Sequence, residues 1–569
     1  MIKIIAQLLA GITIICYCMT TKRRYTTHDD ILSSSKITAK IYRRSKSEHY
    51  YKICFFLLIL FYTIILFYKV EEFPAPYHID EAGAAYDALS LIHYGTDRYL
   101  YKYPVILTNF GGHGQDAFYC YLAAMSIKIF GYSILSLRLP VMIFAIVSAL
   151  CFAILVRKEF GKTASLIILG LFCILPYSIM TSRWGLQSFF LFRMMIIACL
   201  TLYTAMKTGK NRFFILTGLL LGLALYTYAI SYIFIPVFFI LFFVTLLFTK
   251  QISRKKVFLT GIPVFIIAIP LLLMLAVNFG LINEIKTPYF SIPKIIDFQG
   301  GDLKPEYIIN NFQFNKSNFF YRILVEDFST YNSHKKFGTL YYFSIPFMLL
   351  GCFLSIKNAL FAIRTKTFSL DYLITCIFFA AFLTSINLVE INVHRTNELF
   401  LPLIYFICRG IYYLTQKNQK IIAIICAIYG LLFILFIHFY YTDYTNVIDK
   451  ELGLYSDYKN ALMFTESINK QKKPVNVVSY YGAYIQTLVA LEMDPYEFAE
   501  KRIMDEHSEI IGLGEYRFMT YIDWDYYPND SIYIFRNPKQ IPWKIDLADG
   551  FNTEKFGRIT IYYPSEYAF

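Results

Sequence analysis

Two adjacent carboxylates, Asp80 and Glu81, come shortly after an apolar run (Ile53 to Tyr68) and open a helical stretch rich in small residues, HIDEAGAAYDALSLIHYG. A carboxylate held against a hydroxyl can take its proton as a general base. One kept at the edge of a bilayer is costly and marks a functional position. The pair also suits an ordinary helix start, where acidic side chains offset the helix dipole. Further polar chemistry gathers in connectors of the same kind. The stretch 71–138 holds His78, Asp97, Lys102 and the run Asn109-Phe110-Gly111-Gly112-His113-Gly114-Gln115. One short turn carries Ser182-Arg183-Trp184-Gly185-Leu186-Gln187, and another Asn392-Val393-His394-Arg395-Thr396-Asn397-Glu398.

These residues are positioned by elements that are mostly membrane. The chain has 569 residues, of which 57% are hydrophobic and 17% charged. A soluble protein of this length carries about a quarter charged residues. Runs near twenty apolar residues recur, long enough to cross a hydrocarbon core of roughly 30 Å. The net charge of +14 does not indicate nucleic acid, because the basic clusters fall in short connectors: Arg157-Lys158, Lys207 to Arg212, Lys250 to Lys256, Lys357 to Lys366, and Lys417 with Lys420. Such connectors mark cytoplasmic loops and contact anionic lipid.

Spans are expected at Ile53 to Tyr68, Leu139 to Val156, Ala164 to Met180, Phe189 to Met206, Phe213 to Tyr228, Tyr232 to Phe248, Val257 to Val277, Thr339 to Ile356, Tyr372 to Val389, Leu399 to Tyr413 and Ile421 to Tyr440. Every basic connector then lies on one side. The external side receives the loop 71–138, with interfacial helices beginning at Asp80 and near Gln115, and the loop 278–338. Residues 1–50 form an apolar N-terminal run, Ile2 to Met19, and a basic cytoplasmic linker. Residues 51–441 form the membrane domain, and 442–569 read as an external soluble α/β domain. All eleven cysteines lie at or before Cys426 without CxxC spacing, so buried thiols are expected, with neither a disulfide framework nor a Cys/His metal site.

An outward first span, then Asp80-Glu81 opening an interfacial helix, then a second such helix ending in Phe130-Gly131, then Leu137-Arg138-Leu139-Pro140, Arg157-Lys158-Glu159-Phe160-Gly161, Pro176 and Ser182-Arg183 follow in order. This ordered set resembles the membrane glycosyltransferases of the GT-C fold, the bacterial relatives of protein O-mannosyltransferases and aminoarabinose transferases. The resemblance implies a polytopic α-helical protein with about eleven to twelve transmembrane helices, and external transfer of a hexosyl or pentosyl group from a polyprenyl-phosphate donor to a protein, lipid or cell-wall acceptor.

Asp80 matches the family's catalytic aspartate and Glu81 its acidic neighbour. Phosphate needs a cation, which arginine supplies well. Arg395 is the first choice, with Arg183 and Arg193 beside it. An interfacial anchor is the alternative for Arg395 and Arg183. Arg193, more than a turn inside a span, should point into protein or a polar cavity. His113, Gln187, Trp184 and His394 are candidates for orienting substrate, the histidines also having structural roles open to them. Relatives often carry an acidic residue near the position of Gln187. Glutamine is neither base nor anionic ligand, so no obligatory metal or other cofactor is expected. A lipid-linked sugar flippase and a polysaccharide polymerase or ligase are the competing readings.

Overall fold

The computed structural model describes residue 7 and residues 34–567, apart from 76, 110–111, 296–304, 326–331, 390, 445, 449–456, 480–481, 507–508, 522–529, 537–540 and 542–549. Apart from residue 7, the run Ile2 to Met19 lies outside the described residues. Helix α1 (Ser34–Phe67) leads to α2 (Ile79–Tyr94), a short hairpin of β1 (Ile106–Thr108) and β2 (Gly114–Asp116), and α3 (Phe118–Phe130). Then come α4 (Ile134–Phe160), α5 (Lys162–Ile174), α6 (Pro176–Met180), α7 (Phe190–Thr208) and α8 (Asn211–Ala224). Helix α9 (Ser231–Phe248) and α10 (Arg254–Asn278) follow. After a small hairpin of β3 (Ile285–Lys286) and β4 (Ser291–Ile292) come α11 (Pro305–Asn315), α12 (Phe319–Leu324), α13 (Ile345–Arg364), α14 (Leu370–Ser385), α15 (Phe400–Lys417) and α16 (Ile421–Thr442).

Among the described residues eight helices are long and apolar enough to cross a membrane, and the shorter α5, α8 and α14 occupy the places of the remaining expected spans. The expected span Ala164 to Met180 is broken for a local reason. Leu175 is extended (φ −70°, ψ 134°) before Pro176, as a residue preceding proline prefers, and α6 resumes as one short turn. Helices α2 and α3 lie in the first long connector, where the two interfacial helices are expected. The protein is a multi-pass membrane protein.

The C-terminal part holds α17 (Tyr458–Ile468), β5 (Val475–Val478), α18 (Ala483–Ala490), α19 (Pro495–Lys501), β6 (Arg502–Met504), β7 (Ile510–Leu513), β8 (Tyr516–Met519), β9 (Ile532–Phe535), β10 (Phe551–Phe556) and β11 (Ile559–Pro564). One seven-stranded sheet has the order β10-β11-β9-β5-β8-β7-β6. The central β5, VNVV, is buried along its length and pairs in parallel with β8 and β9. Strands toward the edges pair antiparallel. The short strand-like runs of the sequence at 475–480, 518–522, 531–535 and 559–563 correspond to β5, β8, β9 and β11. Strands β6 and β10 carry no such signal because they are edge strands with exposed, weakly alternating residues, as edges commonly are.

This domain sits directly on the helix that starts with Asp80-Glu81. Ala82 and Tyr86 of α2 share one apolar core with Leu462, Ile485, Leu488 and Phe498. The Tyr86 hydroxyl donates to the Met493 carbonyl at 2.9 Å. At Gly482 (φ +64°) a Cβ would lie 1.7 Å from Ile79 Cδ1, so only glycine lets α18 approach α2 this closely.

Candidate active site

The start of α2 is closed by a reciprocal cap. The Asp80 backbone N–H donates to His78 Nδ1 at 3.1 Å and the His78 N–H donates to Glu81 Oε2 at 3.0 Å, the pattern of a capping box. Glu81 is then held from three more directions. Arg138 Nε donates to Oε1 and Nη2 to Oε2, each at 2.7 Å, and the Gly185 N–H donates to Oε1 at 2.5 Å. Both partners of this ion pair are fully buried. Arg138 also donates to the carbonyls of Val70 (2.6 Å) and Ala75 (2.8 Å). One guanidinium thus ties α4 to the segment joining α1 and α2. A side chain at Gly185 would meet the Tyr119 hydroxyl at 2.1 Å and Glu81 Oε1 at 3.1 Å, so the turn must be glycine there for its N–H to reach the carboxylate.

Glu81, expected in the catalytic set, is therefore corrected to a positioning residue: the acceptor sites facing its neighbours are filled and no solvent reaches it. Its neighbour differs. The Asp80 side chain keeps 32% exposure, with Oδ2 3.5 Å from His78 Nδ1, and sits at the positive end of the α2 dipole. A carboxylate in this place is reachable by a ligand, while the residue after it locks the helix.

The opposite wall is made by two turns. In the first, 225–230, Tyr228 places its ring 5.6 Å from the His394 ring. In the second, the Arg395 N–H donates to Asn392 Oδ1 at 2.8 Å and Thr396 Oγ1 donates to the Asn392 carbonyl at 2.8 Å. His394 Nδ1 and Ser188 Oγ share a hydrogen bond at 3.0 Å, and Phe189 covers the ring at 5.7 Å. Burial, reinforced by the positive character of His78 and Arg395, pushes the His394 imidazole down to about 3; it is neutral at ordinary pH. The half-buried Arg395 and the carboxylates of Asp116, Glu398 and Asp80 all act electrostatically on Tyr228. The Asp80 carboxylate and the Arg395 guanidinium thus both lie within electrostatic reach of Tyr228.

Asp116, not singled out as a site residue in the sequence, belongs to this wall. It accepts from the Tyr232 hydroxyl at 2.5 Å and links the β1–β2 hairpin to the Tyr228 turn. Burial pushes it up to about 6, opposed by the Tyr232 hydrogen bond and the Ala229 backbone. A lone acid beside an aromatic run gave no sequence signal beyond its type. His113 stands partly buried in that hairpin's turn, its carbonyl accepting from the Asn109 N–H at 2.7 Å.

Three further expectations are corrected. Arg183 is fully buried and donates to the carbonyls of Ile65 (2.6 Å), Leu66 (2.9 Å), Tyr68 (2.8 Å) and Phe73 (3.1 Å). It satisfies carbonyls at the C-terminal end of α1 and just beyond, which otherwise have no helical partner, and both its terminal nitrogens are engaged there. Arg193 does point into protein, as expected from its depth, where its two terminal nitrogens bind the Phe189 carbonyl, Ser182 Oγ (2.8 Å) and Thr181 Oγ1 (3.3 Å), and it is buried. Trp184 is fully buried with the Arg138 guanidinium 4.9 Å from its ring, so it is packing for the ion pair and no platform for a sugar. Gln187 lies in a partly buried 3-10 turn next to Ser188. Among the described residues no three His, Cys, Asp or Glu side chains converge closely enough to hold a metal ion.

The family model described as dolichyl-phosphate-mannose-protein mannosyltransferase matches residues 117–274, from the start of α3 to near the end of α10. No curated protein sequence matches the chain. Among solved structures, ArnT from Cupriavidus metallidurans bound to undecaprenyl phosphate is similar with a TM-score of 0.51 and 11% identity, covering 90% of this chain and 98% of that one. The chain has the GT-C fold. The oligosaccharyltransferase AglB from Archaeoglobus fulgidus, in complex with an inhibitory peptide and a dolichol-phosphate, matches with a TM-score of 0.45 and 12% identity over 82% of this chain. The chain covers 66% of that protein, slightly under two thirds of its length. In this GT-C chain the family match begins one residue after Asp116 and includes Arg138, Arg183 and the Tyr228 turn, whereas Asp80 and Arg395 lie outside it.

Proposed function

We propose that this protein is a membrane glycosyltransferase that moves a sugar from a polyprenyl-phosphate donor to an acceptor, on the external face of the membrane. The observation that carries the reading is the division of labour at the start of α2. Glu81 is locked by Arg138 and Gly185, while its neighbour Asp80 keeps an accessible carboxylate. The family match and the lipid phosphate named for ArnT support the donor class.

In this reaction Arg395 holds the phosphate of the donor before and during its departure. The acceptor hydroxyl gives its proton to the Asp80 carboxylate as its oxygen bonds to the anomeric carbon. The anomeric C–O bond to phosphate breaks with its electron pair, releasing polyprenyl phosphate. That leaving group is already a stable anion, so the site needs a base and a cation more than a general acid. Neutral His394 fits the same arrangement, because a second positive charge is not required beside Arg395. The positive-inside distribution of the connectors supports the external orientation.

The test is turnover by the purified protein of a synthetic polyprenyl-phosphate sugar, compared with a sugar nucleotide free of any lipid phosphate. Consumption of the lipid-linked sugar alone is expected. Turnover of the nucleotide sugar would show that the donor reading is wrong.

A further inference from the structure

Helices α1, α5 and α16 each follow a basic stretch of chain and run side by side from it. Lys162 Nζ at the start of α5 donates to Ser47 Oγ of α1 at 3.4 Å. Further along, Tyr51 and Ser165 share a hydrogen bond at 3.1 Å, and Cys173 Sγ donates to the Leu58 carbonyl at 3.4 Å. Helix α16 keeps the same direction along α1, with the rings of Phe61 and Phe433 5.6 Å apart and those of Tyr68 and Tyr441 5.3 Å apart. Between these three helices, and lined also by Ile411 of α15, lies a cavity of 710 Å³. A space of this size holds a small-molecule ligand.

The cavity is polar at one end only. Leu58, Phe61, Ile167, Ile174, Ile422 and Ile425 give it long hydrocarbon walls. The hydroxyls of Tyr51 and Tyr429, which also line it, are bonded to Ser165 and Ser344. Ser47, Tyr50, Lys162 and Thr163 stand level with the Ser47–Lys162 contact and form one mouth. Two glycines keep the interior open. A Cβ added at Gly170 of α5 or Gly430 of α16 would meet no atom within 4 Å. Neither helix needs glycine there for close packing, although glycine is a poor residue for a helix interior. A lining that touches nothing forfeits its dispersion contacts, so this space calls for an occupant.

The mouth carries surplus positive charge. Glu48 is shared by Arg157 Nη2 (2.7 Å) and Lys162 Nζ (2.8 Å), and all three side chains remain partly exposed. One acid thus faces two bases. Lys158 and Lys420 are exposed beside them in sequence, the second directly before the turn of α16 that lines the cavity. Such basic groups at the membrane surface attract anionic lipid. The occupant must be hydrocarbon over most of its length and anionic at one end. We propose that the cavity binds an anionic phospholipid from the leaflet that meets the basic connectors, its phosphate at the Lys162 mouth and an acyl chain laid toward Gly430. The polyprenyl chain of the donor fits this space less well. Its phosphate belongs at the Asp80 end of α1, and the cationic mouth lies at the other. The lipid site is therefore independent of the donor reading.

The experiment titrates the purified full-length protein, delipidated in detergent, with dioleoylphosphatidylglycerol and dioleoylphosphatidylcholine, and counts bound lipid by native mass spectrometry. Phosphatidylglycerol should bind about fivefold or more tighter, the effect of one basic side chain near a headgroup. Lys162→Gln should remove most of that preference and leave the affinity for phosphatidylcholine within about twofold. A double variant, Gly170→Leu with Gly430→Leu, fills open space with better helix formers. Its denaturation midpoint without lipid should equal or exceed that of wild type, while its affinity for phosphatidylglycerol falls about tenfold or more. Equal binding of the two lipids by wild type would overturn the proposal, as would wild-type affinity in the filled variant. Oxidative cross-linking of Cys16 or Cys18 to Cys426 would overturn it too, by showing that the run Ile2 to Met19 occupies the cavity.

Discussion

Asp80 and Glu81 are adjacent residues of nearly the same chemistry with opposite fates. The Glu81 carboxylate is fully buried against Arg138, and Asp80 remains a third exposed. Removing one member of a buried, hydrogen-bonded ion pair leaves the other uncompensated and costs about 3–5 kcal/mol. Glu81→Gln should therefore lower the denaturation midpoint of the detergent-solubilised protein clearly, and Asp80→Asn should shift it little. Equal midpoints for the two variants would contradict the assignment of Glu81 as the locked partner.

Two titrating groups of the opposite wall give slopes of opposite sign. Asp116 rises from 3.8 to about 6 in the fold, so between those values the folded state holds more protons and stability falls as pH rises. His394 drops from 6.5 to about 3, so there the unfolded state holds more protons and stability rises with pH. Asp116→Asn should steepen the rise in stability from pH 4 to 6, and His394→Gln should flatten it, as read from denaturation midpoints across that range. At this scale the sequence displayed residue types without partners. Arg183, Arg193 and Arg395 all read as phosphate ligands, and the difference lies in which backbone carbonyls the fold brings to the first two.

Elements hold these residues through close backbone approaches. Gly185 lets its N–H reach Glu81 beside Tyr119, and Gly482 lets α18 lie on Ile79 of α2. Gly482→Ala meets both a positive φ and the Ile79 side chain, so it should destabilise the protein by about 1–3 kcal/mol. Adding Ile79→Ala should recover the part caused by the clash, and calorimetry of the single and double variants measures it. No recovery would mean that α18 does not seat on Ile79. The long apolar helices and the two helices of the first connector were legible because long apolar runs and their polar punctuation are local signals. The edge strands β6 and β10 were not, since their pairing is decided by distant partners.

The whole molecule gathers its candidate chemistry at one end of a GT-C bundle. The β-sheet domain rests there on α2, and the arginine- and lysine-rich connectors lie at the other end. In a cysteine-depleted background, a thiol at exposed Thr553 or Glu554 should react with an impermeant reagent on intact cells, and one at Lys255 only after permeabilisation. Reversed labelling would turn the bundle over and place the candidate site on the cytoplasmic side. The central claim is that Asp80 takes the acceptor proton during transfer from a lipid phosphate, and it is tested most directly by single-turnover transfer from a synthetic polyprenyl-phosphate sugar. The Asp80→Asn protein should bind the donor as wild type does and lose about 10²-fold or more in rate, while Arg395→Ala should lose donor affinity and rate together. Near-normal transfer by the Asp80→Asn protein would contradict the account and leave Asp80 as the acidic start of a helix.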